Sequence, residues 1–213
     1  MQLQISVLVN KEINEVISRL AKRMGTSKRN IISLALSNIL KGEITRKKVD
    51  QIKMDIHGLT HATNITVNQQ FKDRLDQLDH FGLSRRRFFG LLVCDYFYKH
   101  SHEFLGEDIL KEDATIYSAT KANVQITIDK TIKNKLMKYC TENAISLNSL
   151  IAHYVMNKTL TVKSFHTTNK DFLHLTFGEE VKEQIQDNAE EMNMSERYYL
   201  NLIMAQISID LGL

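Results

Sequence analysis

The sequence contains no proline, no tryptophan and only two cysteines among its 213 residues, and its glycines number eight. The scarcity of proline and glycine argues against collagen-like or long disordered segments. No apolar run approaches the ~20 residues that a membrane-spanning helix needs, and the N-terminus lacks the basic and apolar regions of a secretory signal. These absences predict a cytoplasmic protein with no membrane partner, long enough for one or two domains that each bury a core.

Catalytic and metal-binding patterns are also absent. The sequence shows no glycine-rich phosphate loop, no nucleophile elbow and no paired-cysteine zinc pattern. Cys94 and Cys140 stand inside apolar helical patterns, so we expect both to be buried, reduced thiols. Two closely spaced histidine pairs lack further ligands nearby and do not indicate a metal site. These pairs are His57 with His61 and His100 with His102. We therefore expect no enzyme, no cofactor and no metal.

Charge is distributed unevenly along the chain. Residues 1–105 carry 17 Lys and Arg against 10 Asp and Glu, whereas residues 106–213 carry 11 against 15. A basic half and an acidic half indicate that the two halves have different partners.

Four short stretches alternate apolar and other residues, and the alternating pattern is rich in β-branched side chains. They are residues 3–9, 62–67, 123–128 and 173–177. Alternation of this kind predicts strands with one buried face. Each stretch runs into a residue that favours a turn or a helix start, in order Asn10, Asn68, Asp129 and Gly178.

Helical periodicity follows each stretch at a constant spacing. Three and seven positions after the four marker residues stand Ile13 and Ile17, Phe71 and Leu75, Ile132 and Leu136, and Val181 and Ile185. A serine follows 16 or 17 positions after each marker: Ser27, Ser84, Ser146 and Ser195. Apolar residues recur four, five and eight positions after each serine, which predicts a second amphipathic helix. The chain is therefore a fourfold repeat of strand, helix, tight turn and helix.

The turn and the start of the second helix have their own signals. A serine hydroxyl accepts a hydrogen bond from an otherwise unpaired backbone N–H, so each repeated serine is expected to cap the second helix. Gly25 and Gly82 stand where the first helix ends, and a left-handed residue is favoured there. The third and fourth copies have Asn143-Ala144 and Asn193 at the corresponding place.

The stretch Phe81–Phe89 sets three arginines directly before two apolar core positions. Arg85, Arg86 and Arg87 fill the first helical turn, where positive charge opposes the helix dipole and costs a few tenths of a kcal/mol each. A sequence that retains this charge is expected to use it, and backbone N–H groups at a helix start bind anions. Lys28 and Arg29 hold the matching place in the first copy.

Strand, helix, glycine turn, serine cap and helix in this order resemble the ribbon-helix-helix family of DNA-binding proteins, the group of the Arc and methionine repressors. The resemblance implies a mostly α chain with short β ribbons. It covers four repeats, at residues 1–41, 61–98, 122–159 and 171–209. A strand of one repeat then pairs antiparallel with a strand of another, because a unit of ~40 residues buries too little apolar surface alone.

The repeats predict two intramolecular pseudo-dimeric modules, residues 1–98 and residues 122–213, joined by a linker at 99–121. Within the modules, residues 42–60 and 160–170 connect the paired repeats, and residues 43–57 predict an additional helix. The alternative is pairing between chains, which would give an obligate homodimer.

In the family, the ribbon lies in the major groove, where outward polar side chains distinguish base pairs. The resemblance and the period of two assign base contacts to Gln4, Ser6, Leu8, Asn64, Thr66, Asn123, Gln125, Thr127, His174 and Thr176. Polar residues are also ordinary on the solvated face of an antiparallel sheet. No Lys or Arg is expected on the outward strand faces, so guanine recognition from the strands is not predicted.

Phosphate contacts are expected at the starts of the second helices, because they orient the ribbon and supply much of the affinity. They are assigned to Ser27, Lys28, Arg29, Ser84, Arg85, Arg86, Arg87 and Arg197. In the second module only Arg197 is basic there, and Glu196 would repel phosphate. That module is expected to bind DNA weakly, or to use the acidic C-terminal half for dimerisation or a protein partner.

The sequence thus predicts a non-enzymatic protein that binds double-stranded DNA sequence-specifically and regulates transcription as a repressor. An accessory DNA-binding protein of plasmid conjugation or partition is the first alternative, because tandem chains of this kind resemble such factors. A protein-interaction scaffold with reduced DNA binding is the second, and the acidic second half motivates it.

Overall fold

A computed structural model describes residues 3–105 and 121–213, with side chains described for 3–100 and 121–213. Within these ranges the chain is mostly helical, with nine helices and two small antiparallel sheets of two strands each. This confirms the expected mostly α chain with short β ribbons. Over the same ranges, no helix has the length and apolar character needed to cross a membrane.

The described residues form two compact units. The first consists of residues 3–21, 27–105 and 142–145, and the second of residues 22–26, 121–141 and 146–213. The first half of the chain contains β1 (Leu3–Val9), α1 (Lys11–Arg23), α2 (Lys28–Ile39), α3 (Arg46–Asp55), β2 (His61–Val67), α4 (Gln69–Asp76) and α5 (Arg85–Leu105). The second half contains β3 (Lys121–Asp129), α6 (Lys130–Glu142), α7 (Leu147–Asn157), β4 (Lys170–Gly178), α8 (Glu179–Glu191) and α9 (Glu196–Asp210).

Two segments between the repeats can be compared with their predictions. The helix expected within residues 43–57 is present as α3, which begins after Thr45, whose hydroxyl accepts a hydrogen bond from the backbone N–H of Lys48. Helix α5 continues to Leu105, beyond the repeat end expected at residue 98. The linker expected at 99–121 therefore begins inside a helix, and its residues 106–120 lie outside the described part of the chain.

The first sheet pairs β1 with β2 in antiparallel register, with Leu3 opposite Val67 and Val9 opposite His61. Both strands belong to the same chain. Along β1 the inward residues Ile5, Val7 and Val9 are fully buried, which is the period-two burial that the alternation predicts. On β2 the burial is confined to the end that leads into α4.

The helices of the first unit pack crosswise on the two strands. Helix α5 packs against β1 and α2 packs against β2, while α2 and α5 also pack against each other. Gly90 of α5 is needed for this arrangement, because a Cβ there would lie 1.7 Å from the carbonyl oxygen of Leu8. Each strand is thus covered by the helix of the other repeat.

The predicted core positions of the first unit are all buried: Ile13, Ile17, Ile31, Ile32, Ala35, Phe71, Leu75, Phe88, Phe89 and Leu92. Helix α5 contributes two aromatic rings to this core. Phe88 and Phe89 lie edge to face with ring centroids 5.3 Å apart. The stretch of arginines followed by phenylalanines is thereby explained: the rings enter the core and the helix start faces outward.

In the second unit β3 pairs antiparallel with β4, with Val124 opposite Leu175 and Ile126 opposite Leu173. Helix α9 packs against β3 and α7 packs against β4, as in the first unit. The predicted core positions are buried here too, except that Ile132 in α6 is only half-buried.

The four turns that precede the second helices share one backbone conformation. The residue two positions before each repeated serine has a positive φ, of 64° at Gly25, 79° at Gly82, 51° at Ala144 and 53° at Asn193. Glycine and asparagine adopt this left-handed region more readily than other residues. The turns predicted from glycine and asparagine are therefore present in all four copies.

Both cysteines are free and buried, as expected. Burial raises the pKa of the Cys94 thiol to about 11 and that of the Cys140 thiol to about 12. Since the thiolate is the reactive form, both side chains act as apolar core residues at neutral pH.

Candidate nucleic-acid interface

The outward face of the first ribbon is formed by three cross-strand pairs: Gln4 with Thr66, Ser6 with Asn64, and Leu8 with Ala62. Gln4, Ala62 and Asn64 are exposed, and the other three are half-buried. The five residues expected to contact bases from this ribbon therefore share one face. Donors and acceptors line two of the three pairs, whereas the third pair is apolar.

Helices α2 and α5 each start directly after a repeated serine, and the side chain of Ser27 caps α2. The Ser27 hydroxyl oxygen accepts a hydrogen bond from the backbone N–H of Asn30 at 3.3 Å. Helix α5 begins directly after Ser84, whose carbonyl accepts from the backbone N–H of Phe88 at 2.9 Å. Both serines are exposed, so these helix starts are open to solvent.

Arg29 connects the start of α2 to the ribbon. Its Nη1 donates a hydrogen bond to the Thr66 hydroxyl at 2.6 Å, across 37 residues of sequence. The contact places a guanidinium beside the outward face of β2. Sequence reasoning assigned Arg29 to phosphate and missed this contact, which depends on α2 packing against the strand of the other repeat.

Two of the predicted phosphate contacts are held by neighbouring side chains. Lys28 Nζ donates to the Asn14 side-chain oxygen at 3.2 Å. Arg85 forms an ion pair with Asp76 at 2.6 Å, and its guanidinium lies 5.9 Å from the centre of the Phe89 ring. Arg85 therefore stabilises the junction of α4 and α5, and it is less available to a phosphate than the sequence suggested.

Arg86 and Arg87 differ from Arg85. Both are exposed, and neither forms an ion pair with any residue that the structure describes. They lie in the first turn of α5, whose backbone N–H groups carry the positive end of the helix dipole. This combination leaves their charge available to an anionic partner.

The outward face of the second ribbon is also polar for most of its length. It contains Asn123 opposite Thr176, Gln125 opposite His174, and Thr127 opposite Phe172. The Thr176 hydroxyl donates to the Asn123 side-chain oxygen at 2.8 Å, so these two side chains are partly satisfied by each other. Phe172, by contrast, is 61% exposed, which places a large apolar ring beside the polar residues.

The expectation that no strand exposes a basic residue is wrong for the second ribbon. Lys121 begins β3 and Lys170 begins β4, and both side chains are exposed. The alternation of apolar residues begins at residues 123 and 173, whereas the hydrogen-bonded strands begin at Lys121 and Lys170. The strands are therefore longer than the alternating pattern predicts. Each lysine lies at an end of the ribbon, opposite Gly178 and Asp129 respectively.

The helix starts of the second unit carry little charge. Ser146 precedes α7 but makes no side-chain capping hydrogen bond, contrary to expectation, whereas the Ser195 hydroxyl accepts from the backbone N–H of Tyr198 at 3.3 Å. Glu196 pairs with Lys182, which neutralises the acidic group expected to repel phosphate. Arg197 is exposed in the first turn of α9.

Asp129 fastens the end of β3 to the segment before β4. One carboxylate oxygen accepts from the backbone N–H of Thr131 at 2.8 Å, and the other accepts from Thr168 and Asn169. The hydrogen bond from Asn169, followed by those from Thr131 and Thr168, lowers the pKa of Asp129 well below its ordinary value. The charged carboxylate is therefore a structural group of the second unit.

Among the described residues, no group of three or more His, Cys, Asp or Glu side chains is placed to hold a metal ion. Comparisons with protein-family models, curated proteins and solved structures gave no match to this chain. Its class has to be inferred from its own residues and their arrangement.

Proposed function

We propose that the chain is a tandem ribbon-helix-helix protein that binds double-stranded DNA sequence-specifically, without enzymatic activity. Its four repeats form two intramolecular pseudo-dimeric modules, one in each half of the chain. The crosswise packing of α2 on β2 and of α5 on β1 supports this reading, because each repeat supplies the helix that covers the strand of the other. A repeat on its own would leave one apolar strand face uncovered.

The first ribbon is the proposed reading surface. A two-stranded β-ribbon fits the major groove of B-form DNA, where each base pair presents its own pattern of donors and acceptors. Gln4 and Asn64 carry amides that match an adenine edge, and Ser6 and Thr66 serve as donor or acceptor. The second ribbon presents Asn123, Gln125, Thr127, His174 and Thr176 in the same manner.

One observation carries the proposal. The same unit that presents the polar ribbon has exposed helix starts rich in arginine, and Arg29 joins one of these starts to the ribbon face. Helix starts supply backbone donors to phosphate, and arginines add charge. We assign the phosphate clamp to Ser27, Lys28, Arg29, Ser84, Arg86 and Arg87, with Arg85 supporting it through Asp76.

The second unit takes a lesser part in DNA binding. Helix α7 has no basic residue in its first turn, and α9 offers only Arg197 beside a neutralised Glu196. Because its helix starts carry little positive charge, the acidic half is also suited to bind a protein partner or a second copy of the chain. We propose a transcriptional repressor that acts by occupying an operator, with an accessory factor of plasmid conjugation or partition as the second candidate.

The test is a titration of the purified chain with random-sequence duplex DNA at rising salt. Each phosphate contact contributes about 0.9 to the slope of log affinity against log salt. The Arg86→Ala/Arg87→Ala double variant should lower this slope by about 1.8 and weaken binding to all sequences. Asn64→Ala should instead change sequence preference with little change in slope.

Two control variants isolate the clamp. Arg86→Lys/Arg87→Lys keeps both charges and should retain most of the slope. Arg46→Ala/Lys47→Ala removes two exposed charges from α3 in the same unit. If this second variant lowers the slope as much as the Arg86/Arg87 variant, affinity follows net charge alone and the clamp assignment is wrong. Absence of duplex binding by the wild-type chain would refute the proposed function.

A further inference from the structure

The first ribbon has two chemically different ends. Counted back from Asn10 and Asn68, Leu8 corresponds to Thr66, and Gln4 corresponds to Ala62. The register sets Ser6 opposite its own counterpart Asn64, so the pseudo-twofold axis of the ribbon passes through this pair. A homodimer would present the same side chains on both sides of such an axis. Here each end combines residues that the other end lacks.

One end is polar. Gln4 is exposed there, and opposite it Thr66 accepts the hydrogen bond from Arg29. A guanidinium fixed in this way retains further N–H donors for the O6 and N7 acceptors of guanine, while the Gln4 amide matches the N6 and N7 edge of adenine. The polar end therefore has the groups that distinguish purines in the major groove.

The other end is apolar. Leu8 and Ala62 lie opposite each other and neither offers a donor or an acceptor from its side chain. The base feature that such a pair contacts favourably is the C5 methyl group of thymine. Arg86 stands two residues after Ser84, as Arg29 stands two residues after Ser27. Arg29 is held by the Thr66 hydroxyl, but the residue that corresponds to Thr66 at the apolar end is Leu8, which has no hydroxyl to accept a hydrogen bond from Arg86. Arg86 is thus left to the phosphate backbone.

From this asymmetry we infer that the first unit reads an oriented, non-palindromic site, with purines under the Gln4, Thr66 and Arg29 end and thymines under the Leu8 and Ala62 end. The inference rests on the proposed function and specifies the DNA that this surface takes. It assigns Arg29 a part in specificity and Arg86 a part in affinity. A symmetric operator would present the same bases to both ends and would therefore match the side chains of only one of them.

The experiment selects duplexes from a random pool with the full-length chain, and then replaces each thymine of the selected site by uracil in turn. Uracil keeps the hydrogen-bonding edge and removes only the methyl group. We expect an oriented motif, and we expect affinity to fall about fourfold for each methyl group lost at one end of it. Uracil at the other end should have no effect.

Matched variants assign the two ends. Leu8→Thr makes the apolar end resemble its counterpart and should weaken the uracil effect while the purine preference persists, because Ala62 and the smaller threonine methyl group remain. Gln4→Ala, at an exposed position of the ribbon, should relax the purine preference and leave the uracil effect intact. Arg29→Ala should weaken discrimination at the purine end more than Arg86→Ala does.

Three outcomes overturn the inference: a palindromic selected motif, uracil effects of equal size at both ends, or a uracil effect that is undiminished in Leu8→Thr. If Leu8→Thr fails to fold, the Gln4→Ala and Arg29→Ala results decide between an oriented and a symmetric site. Failure of the proposed function looks different, because no duplex would then be retained from the pool at any salt concentration.

Discussion

At the scale of single residues, the turn before each second helix places one position under a common constraint. All four positions have a positive φ, but the residues are Gly25, Gly82, Ala144 and Asn193. An alanine in the left-handed region brings its Cβ close to the following carbonyl, and this costs roughly 1–2 kcal/mol. At this position the third repeat therefore contains a local strain that glycine avoids in the first and second repeats.

Replacing Ala144 by glycine should raise the free energy of unfolding of the protein by about 1 kcal/mol, since the strain is removed. The reverse change, Gly82→Ala, should lower the stability of the first unit by about 1 kcal/mol, because the site has free space but the wrong φ. Urea unfolding of both variants measures the two effects. A less stable Ala144→Gly protein would show that the left-handed turn is not present in solution.

Asp129 makes the second unit sensitive to acid. Its pKa is lowered in the folded state by hydrogen bonds from Asn169, Thr131 and Thr168, so its contribution to stability is present above the unfolded value of about 4. That contribution is lost as the pH falls through the lower folded value. Asp129→Asn should therefore destabilise the protein at pH 7 and reduce the dependence of stability on pH below about 4.

Thermal unfolding of wild type and Asp129→Asn between pH 7 and pH 2 measures this difference. The matched control is Asp187→Asn, an exposed carboxylate of α8. Equal loss of stability with acid in wild type and Asp129→Asn would contradict the assigned hydrogen bonds.

At the scale of elements, the close approach of α5 to β1 depends on one missing side chain. Gly90 lies in mid-helix, where glycine is about 1 kcal/mol less favourable than alanine. Its retention is explained by the Leu8 carbonyl, which a Cβ would meet at 1.7 Å. Gly90 therefore lowers the helix propensity of α5 but allows the helix to pack closely on β1.

Gly90→Ala should destabilise the first unit by about 1–3 kcal/mol through overpacking, despite the gain in helix propensity. Gly42→Ala is the control, because its Cβ would meet only the Ile39 carbonyl at an ordinary 3.7 Å. Urea unfolding should separate the two variants. Stabilisation by Gly90→Ala would mean that α5 does not pack on β1 at this position.

The sequence predicted the elements best where one face is buried. Alternation located the four strands, and the constant spacing to Ser27, Ser84, Ser146 and Ser195 located the second helices. The extension of α5 past residue 98 was not predicted because residues 99–103 are all polar and carry no helical periodicity. A helix end that is set by backbone hydrogen bonds alone leaves no periodic pattern of apolar residues in the sequence.

The candidate site was predicted less completely than the fold. Period two placed Gln4, Ser6 and Asn64 on one outward face, but it could not show that Arg29 reaches Thr66. That contact requires knowing that α2 covers the strand of the other repeat. The pairing of Arg85 with Asp76 is similarly a product of tertiary packing and not of the local sequence.

At the scale of the whole molecule, the two halves differ in charge but share the order of their elements, apart from the additional helix α3 in the first half. Under the proposed function, two DNA-binding units in one chain would raise each other's effective concentration, so that two modest affinities combine into a tight complex. The basic first half is suited to supply most of the salt-dependent affinity, as Arg86 and Arg87 indicate. The acidic second half adds a weaker contact or a protein partner.

The claim on which this account depends is that the ribbon of β1 and β2 enters the major groove. It is tested most directly with a duplex selected by the full chain, in which purines are replaced by their 7-deaza or 3-deaza analogues. The 7-deaza change removes an acceptor from the major groove, and the 3-deaza change removes one from the minor groove. The account predicts loss of affinity with 7-deaza purines alone. Loss with 3-deaza purines alone, or with neither, would contradict it.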